Sequence, residues 1–342
     1  MLRVTEMTDQ QRRMLIDSRQ LWAAWVDAAR RRDSYRGGMS WKTVGGHTYL
    51  VKMFPDSVSG VKKMVSVGPR SAETERILSD FQRNKAEAKE RLESLNRRLS
   101  EQGRLNKAVY LGRVPTIAAK ILRRLHRAGL LGRNVFVTGT HAIHAYEAAA
   151  GVMLDRDLTA TGDLDLMMEA RAKLRLSISG LPVGGLIDLL AEVDRSFVKQ
   201  GTFTAVNRDG YAVDLIKATP TPPWLDETSS FAAGDLEAAM IGNLRWVQHA
   251  PKFDGVAIAE DGLPVPMACP DPRAYALYKL WMGTNDPDRD PVKRPRDLAQ
   301  AEAVATIVHR WLPQLPFEPE HLKCFPRAAI DLGWNQTDPF FR

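Results

Sequence analysis

The stretch TGDLDLMME, Thr161–Glu169, decides how this chain is read. Asp163 and Asp165 alternate with Leu164 and Leu166, and alternation at period two marks a strand whose successive side chains point to opposite faces. Both carboxylates then share one face and both leucines the other. Like charges side by side repel, which makes a poor solvated strand and a good grip for a divalent cation. The apolar continuation Leu166-Met167-Met168 speaks against full exposure. The competing reading is a surface strand with solvated acids.

Working outward, Asp214 interrupts the otherwise apolar run Tyr211 to Ile216 in GYAVDLIKA. A lone acid in such a strand is costly unless it is paired or holds a metal; the alternative is a buried ion pair with Arg208 or Lys217. Upstream, NVFVTGT reads as a buried strand ending in a Gly139-Thr140 turn that feeds a helix. A helix start offers free backbone N–H groups and the positive end of the helix dipole. Gly139 lets a phosphate approach the backbone, and the Thr140 hydroxyl adds a hydrogen bond. No Gly-Lys-Ser/Thr follows, so this is not a Walker A loop. Gly-Thr turns alone are common; the combination is specific. A phosphate cradle, two same-face aspartates and a third acid on a later strand make a two-metal phosphoryl-transfer site.

Composition bounds the reading. A chain of 342 residues, 44% apolar and 26% charged, accommodates two or three globular domains. The net charge of +7 and pI near 9.4 lean toward an anionic partner. Cys269 and Cys324 have neither metal-ligand nor disulfide-framework spacing, so a reducing, cytoplasmic setting is expected. MLRVTEMTDQQRRML lacks the apolar core of a signal peptide, and no apolar run approaches a membrane span, so no membrane partner is expected.

Along the chain, the pattern predicts a helix over 8–32 with a basic end. A hairpin around Gly45-Gly46 follows, then a helix over 72–101 capped by Ser71, with Leu78, Phe81, Ala88, Leu92, Leu95 and Leu99 as its stripe. This long helix packs on its own domain or forms a protruding hairpin that grips RNA or another partner. Further helices are expected over 114–129, over HAIHAYEAAAGVM, and near 234–248, 271–282 and 295–313; TFTAV and YAVDLIKA pair around NRDG. The insert AGVMLDRDLTATG is expected to loop, and its Asp155 and Asp157 lack strand context. Three regions result: 1–110, helical with a hairpin; 111–220, the catalytic core; and 221–342, mainly helical.

The set FVTGTHAIHAYEAAAG, GDLDLMM and YAVDLIKA resembles the DNA polymerase β-like nucleotidyltransferase superfamily. YLVKMF, VGPRSAETE, LGRVPTIAAKILRRLHRAGLLG and GTHAIHAYEAAAGV look like a bacterial family of nucleotidyltransferase-fold proteins. The resemblance implies an α+β fold: a polymerase β-like core with a small mixed β-sheet flanked by helices, plus helical N- and C-terminal regions. It implies that Gly139 and Thr140 bind the triphosphate of an NTP. Asp163, Asp165 and Asp214 would be catalytic and ligate Mg²⁺ or Mn²⁺, two ions in all, with Asp214 serving the metal that activates the acceptor. Thr140 stands where the superfamily turn usually carries serine. The 24 positions from Gly139 to Asp163 are more than compact members have.

Lys279, on a helix followed by Arg296-Asp297, resembles a phosphate-contacting lysine; an ordinary surface lysine and a capping aspartate are the alternative. His141 and His144 are read as packed or capping, with His141 able to touch a phosphate. Arg70 is a candidate nucleotide or nucleic-acid contact. Arg30–Arg32 and Lys62-Lys63 are read as solvated faces unless they lie on the active-site side. NDPDRDPVKRPRD lacks the glycine and glutamate of an EF-hand and is read as a loop. The expected activity is transfer of a nucleoside monophosphate from an NTP to an acceptor hydroxyl (RNA or tRNA end, protein or small molecule) with release of pyrophosphate. The alternatives are a silent nucleotide- or nucleic-acid-binding module of the same fold and a metal-dependent nuclease.

Overall fold

Two capping boxes organise the first third of the computed structural model, which describes residues 4–55, 62–169, 182, 184–222, 224 and 229–335. After β1 (Val4–Glu6), Thr8 accepts from the Gln11 amide and the Gln11 side chain accepts from the Thr8 amide, opening α1 (Asp9–Ser34). β2 (Gly38–Val44), β3 (His47–Pro55) and β4 (Lys62–Pro69) form an antiparallel sheet. The two-residue Gly45-Gly46 turn has φ of +58° and +81°, which glycine takes without strain and which suits the twist of a hairpin. Ser71 and Thr74 cap each other at the head of α2 (Ala72–Ala108).

α1 and α2 pack as a hairpin. Trp22, Trp25 and Ala28 bury against Leu95 and Leu99, and Trp25 Nε1 donates to Asn96 Oδ1 at 2.7 Å. Buried Asn106 ties the root of the hairpin to the rest of the chain by donating to Ser18 Oγ (2.9 Å) and to the Gly262 carbonyl (2.7 Å).

The central elements follow in order: α3 (Thr116–Arg127), β5 (Val135–Val137), a 3₁₀ turn at Gly139–Ala142, α4 (Ile143–Ala150), β6 (Val152–Leu154), α5 (Arg156–Thr159) and β7 (Asp163–Met168). Next come α6 (Leu186–Val193), β8 (Val198–Gln200), β9 (Thr204–Val206), β10 (Ala212–Ala218), β11 (Ala239–Ile241) and α7 (Leu244–His249). β12 (Lys252–Ile258), β13 (Pro264–Pro270), α8 (Pro272–Thr284), α9 (Arg294–Trp311) and α10 (Arg327–Asn335) complete the set. The mixed sheet runs β5-β7-β10-β9-β8. β10 lies parallel to β7; on its other side, β9 pairs antiparallel with its first half and β11 parallel with its last. The main core lies between this sheet and α3, α4, α6, α8 and α9. The chain is thus a mixed α/β protein. No helix among the described residues is long and apolar enough to cross a membrane.

Several expectations need correction. The alanine-rich helix ends at Ala150, because Gly151 takes a left-handed C-cap at φ +68°; Val152–Leu154 then pair with β1 as a strand. The insert after it is not a loop but holds β6 and α5. Of the helix expected near 234–248, only Leu244–His249 forms, because Ala239–Ile241 extend the sheet beside Ile216–Ala218. β4 and the β12–β13 hairpin have no counterpart in the sequence reading. Pro264, Pro266 and Pro270 fall at alternate positions of β13, which has β12 as its only strand partner among the described residues. Prolines at that spacing can turn their missing N–H away from a partner strand.

Because Asn106 is the buried polar link at the hairpin root, Asn106→Ala leaves the Gly262 carbonyl without this donor. Chemical denaturation is expected to show a loss of about 1–3 kcal/mol.

Candidate active site

The parallel register of β7 and β10 sets Asp165 directly beside Asp214 and Asp163 beside Ala212. Leu164 and Leu166 point the other way and are fully buried. One carboxylate oxygen from each of Asp163, Asp165 and Asp214 lies within 4.8 Å of the other two, and all three residues are half-buried. Period-two alternation on adjacent strands is therefore enough to converge the three acids, as the sequence predicts. Thr161 donates to Asp163, and Thr204 Oγ1 donates to Asp214 Oδ1 at 2.6 Å. That bond takes the place of the ion pair considered for Asp214. Lys217 lies on the opposite face of β10 and donates to Ser229.

Electrostatics mark the cluster as short of positive charge. Burial, with Asp163 and Asp214 alongside, pushes Asp165 up to about 6, against the opposing pull of Lys279 and Arg289. The donor set is entirely oxygen, which suits a hard divalent ion such as Mg²⁺ or Mn²⁺ rather than a soft metal.

The Gly139 turn sits against these acids. The Thr138 N–H donates to the Asp165 carbonyl at 3.0 Å, and Gly139 has φ +61°. A Cβ at position 139 would lie 1.9 Å from Asp165 Oδ2, so only glycine fits both the backbone angle and the space. Thr140 Oγ1 accepts from Gln300 Nε2 at 3.2 Å, which leaves its own proton to give. Gln300 also donates to the Leu158 carbonyl at 2.8 Å, and Arg296 donates to the Ala160 carbonyl. α9 thus pins both the turn and the segment leading into β7.

Lys279 is neither an ordinary surface lysine nor unpaired. It is buried and donates to Asp297 Oδ1 at 2.7 Å, while Arg289 grips both oxygens of the same carboxylate at 2.6 and 3.0 Å. Two cations share one acid, and the surplus positive charge bears on Asp165. Asp297 is a buried ion-pair partner rather than a cap.

His141 is buried, and its Nε2 shares a 2.8 Å hydrogen bond with the Tyr211 hydroxyl. Burial, then His144, holds its imidazole down to about 3, so it is neutral. His141 is thus a packed, hydrogen-bonded residue, one of the two roles expected for it. Burial and the nearby Asp163 and Asp165 push the Tyr211 hydroxyl up, which keeps it a proton donor. A cavity of about 440 Å³ opens beside the acids, lined by Thr116, Lys120, Gly162, Asp194 and Tyr211 among others. His144 pairs with Glu147 at 2.9 Å and has no part in a metal pair.

Asp155, at the N-cap of α5, and Asp157, within it, are exposed and outside the carboxylate cluster. Arg70 is exposed, pairs with Glu75 at 2.9 Å and stacks over Trp41. Sequence reasoning missed Thr204, Tyr211, Arg289 and Gln300. Thr204 was legible in principle, since the NRDG hairpin sets it opposite Asp214. Gln300 carried no local signal.

A family model described as nucleotidyltransferase matches residues 116–323, more than half of the chain and all of the site residues above. No curated protein and no solved structure matches the chain. The strand pair with its three carboxylates, and the turn closed against them, lie wholly inside that match, and the chain belongs to this nucleotidyltransferase family.

Proposed function

We propose that this chain moves a nucleoside monophosphate from an NTP to an acceptor hydroxyl and releases pyrophosphate, on a polymerase β-like core. The observation that carries the reading is the convergence of Asp163, Asp165 and Asp214 with Gly139 pressed on Asp165. Three carboxylates this close are at odds with one another unless cations are shared among them. Two Mg²⁺ or Mn²⁺ ions held by the three aspartates would supply charge neutralisation for the phosphates and a lowered pKa for the acceptor hydroxyl.

The chain's own residues do the rest. Gly139 admits the triphosphate to the turn, where the Thr140 hydroxyl donates to it while Gln300 holds the threonine oxygen. Thr204 and Thr161 orient Asp214 and Asp163. Lys279 acts through the field of its pair with Asp297 rather than by touching a phosphate in this arrangement. Tyr211, its hydroxyl kept protonated and bonded to His141, lines the cavity beside the acids. A nuclease would need the same acids but not the turn, and the close fit of Gly139 favours the transferase.

The first test supplies each NTP radiolabelled at the α-phosphate, with Mg²⁺ or Mn²⁺, to the purified protein together with total RNA and protein extract. Label is expected on a macromolecule and is lost in Asp163→Ala/Asp165→Ala; label that never leaves the nucleotide in any mixture counts against transfer. Gly139→Ala drives a methyl group into Asp165 and is expected to cut the transfer rate on the order of 100-fold or more.

Asp165→Asn separates stability from activity. An acid whose folded pKa is raised to about 6 destabilises the native state once ionised, fully above that pH and not at all below its unfolded value near 4. In EDTA at pH 7.5 the variant is expected to melt about 1–3 °C higher than the parent, corresponding to roughly 1–2 kcal/mol. The gain is expected to vanish toward pH 4. Mg²⁺ should raise the melting temperature of the parent alone.

A further inference from the structure

The positive charge of this chain is unevenly placed. Residues 1–110 hold 22 Lys and Arg against 13 Asp and Glu, whereas residues 111–342 hold 26 against 28. The basic excess thus belongs to the arm that precedes the family match at 116–323, so it is a feature of this chain rather than of the matched region.

Four of these cations line a cleft of about 360 Å³ between α1, α2 and the turn at Gly37. Arg32, Arg36, Lys85 and Lys89 line it, with Glu93 the one lining acid. Arg32 and Arg36 share a single carboxylate, Asp33, at 3.2 and 2.9 Å. Lys89 is 3.9 Å from Glu93, and Lys85 bonds the Gly37 carbonyl instead of an acid. Four cations are offset by two carboxylates, and Tyr35 supplies an aromatic wall.

Further basic residues lie between this cleft and the cavity next to the carboxylates. Arg32 lies about 10 Å along α1 from Trp25, over whose ring Arg127 is placed at 5.3 Å. Arg127 ends α3. After burial itself, Arg30 and Arg127 hold the neighbouring His126 imidazole down, so the root of the arm carries a positive field. α3 then runs about 18 Å back to Lys120 and Thr116, which line the cavity together with Gly162, Tyr211 and the acids Asp194 and Asp209.

We infer that this track binds a single strand of nucleic acid along its phosphodiester backbone, with its terminal hydroxyl delivered to Asp163, Asp165 and Asp214. The inference rests on the transferase reading for the last step only. Two sites joined through about 10 Å of α1 and about 18 Å of α3 suit a strand of the roughly 4–16 nucleotides that single-strand sites cover rather than a mononucleotide. Basic side chains with an interleaved aromatic are what such a strand needs.

The test is fluorescence anisotropy of the full chain with an end-labelled 12-nucleotide RNA, the same sequence as DNA, and free ATP as competitor, at about 50 and 200 mM salt. Binding of either strand, not displaced by ATP at matched phosphate, is expected. Arg32→Gln/Arg36→Gln/Lys89→Gln should weaken it ~10-fold or more and flatten the dependence of log K on log salt by about 2, at ~0.7 for each phosphate that is no longer neutralised. Photo-crosslinking of a 4-thiouridine RNA to the unmodified protein is expected to mark residues within 30–36 and 85–96, which does not rely on the variant folding.

Failure of the parent to bind either strand, a triple variant that binds like the parent at both salts, or crosslinks confined elsewhere would each overturn the inference. Asp163→Asn/Asp214→Asn is expected to bind the strand normally and transfer nothing. Strand binding without transfer by the parent therefore defeats the transferase reading and leaves the track standing. Transfer that the triple variant performs as well as the parent defeats the track alone.

Discussion

Mutual repulsion among three carboxylates on two adjacent parallel strands is the constraint around which the rest of the core is arranged. Nothing in sheet geometry relieves it: the register that buries Leu164, Leu166, Val213 and Leu215 forces Asp165 against Asp214. A slip of one residue would separate the acids but turn the leucines to solvent. Hydrophobic burial therefore holds the acids together, at a cost visible in the raised pKa of Asp165. The local remedies are partial. Thr161 and Thr204 give a hydrogen bond each, and the nearest cations are tethered to Asp297 rather than to the cluster. The cluster is left with an unmet demand for positive charge, which is the property a cation-dependent site requires.

What was legible in the sequence is what depends on short-range pattern. The alternation in DLDLMM gave both the strand and the shared face of Asp163 and Asp165. The lone acid in YAVDLIKA gave Asp214, and the Gly139 turn followed from a buried strand run ending in Gly-Thr. Each needs only a period or a backbone preference to be read. Gln300, Arg289 and Tyr211 were illegible because their roles arise from packing between elements far apart in the chain; no pattern within α9 says that one glutamine faces Thr140. Lys279 was half-legible. Its helix is right, but its buried pairing was not foreseen, because the partner, Asp297, lies in the adjacent motif whose pattern suggests a cap. Val152–Leu154 read as helix because apolar residues after an alanine-rich helix continue its pattern, and only Gly151 signals the break.

A second buried charge cluster explains how the turn keeps its place. Glu147 lies on α4, the helix that follows the Gly139 turn, and is almost wholly buried. It accepts from Arg113 at 2.7 Å, from the Leu154 amide at 2.7 Å and from His144 at 2.9 Å, while Arg113 also donates to the Leu154 carbonyl. Although burial opposes it, these donors hold the Glu147 carboxyl below its usual range. A buried ion pair of this kind contributes little net stability compared with an apolar replacement, because desolvation offsets the attraction. What it contributes is geometry. One carboxylate fixes α4 relative to the chain entering α3 and to the strand β6 that leads back toward the acids. Gly139 can then sit in direct contact with Asp165, a fit that fails with a single added methyl group. The long insert between the turn and β7 is tolerated for the same reason. Its first strand is stitched to α4 by Glu147, and its last residues are held by Arg296 and Gln300, so the chain between Gly139 and Asp163 need not displace the turn from the carboxylates it packs against.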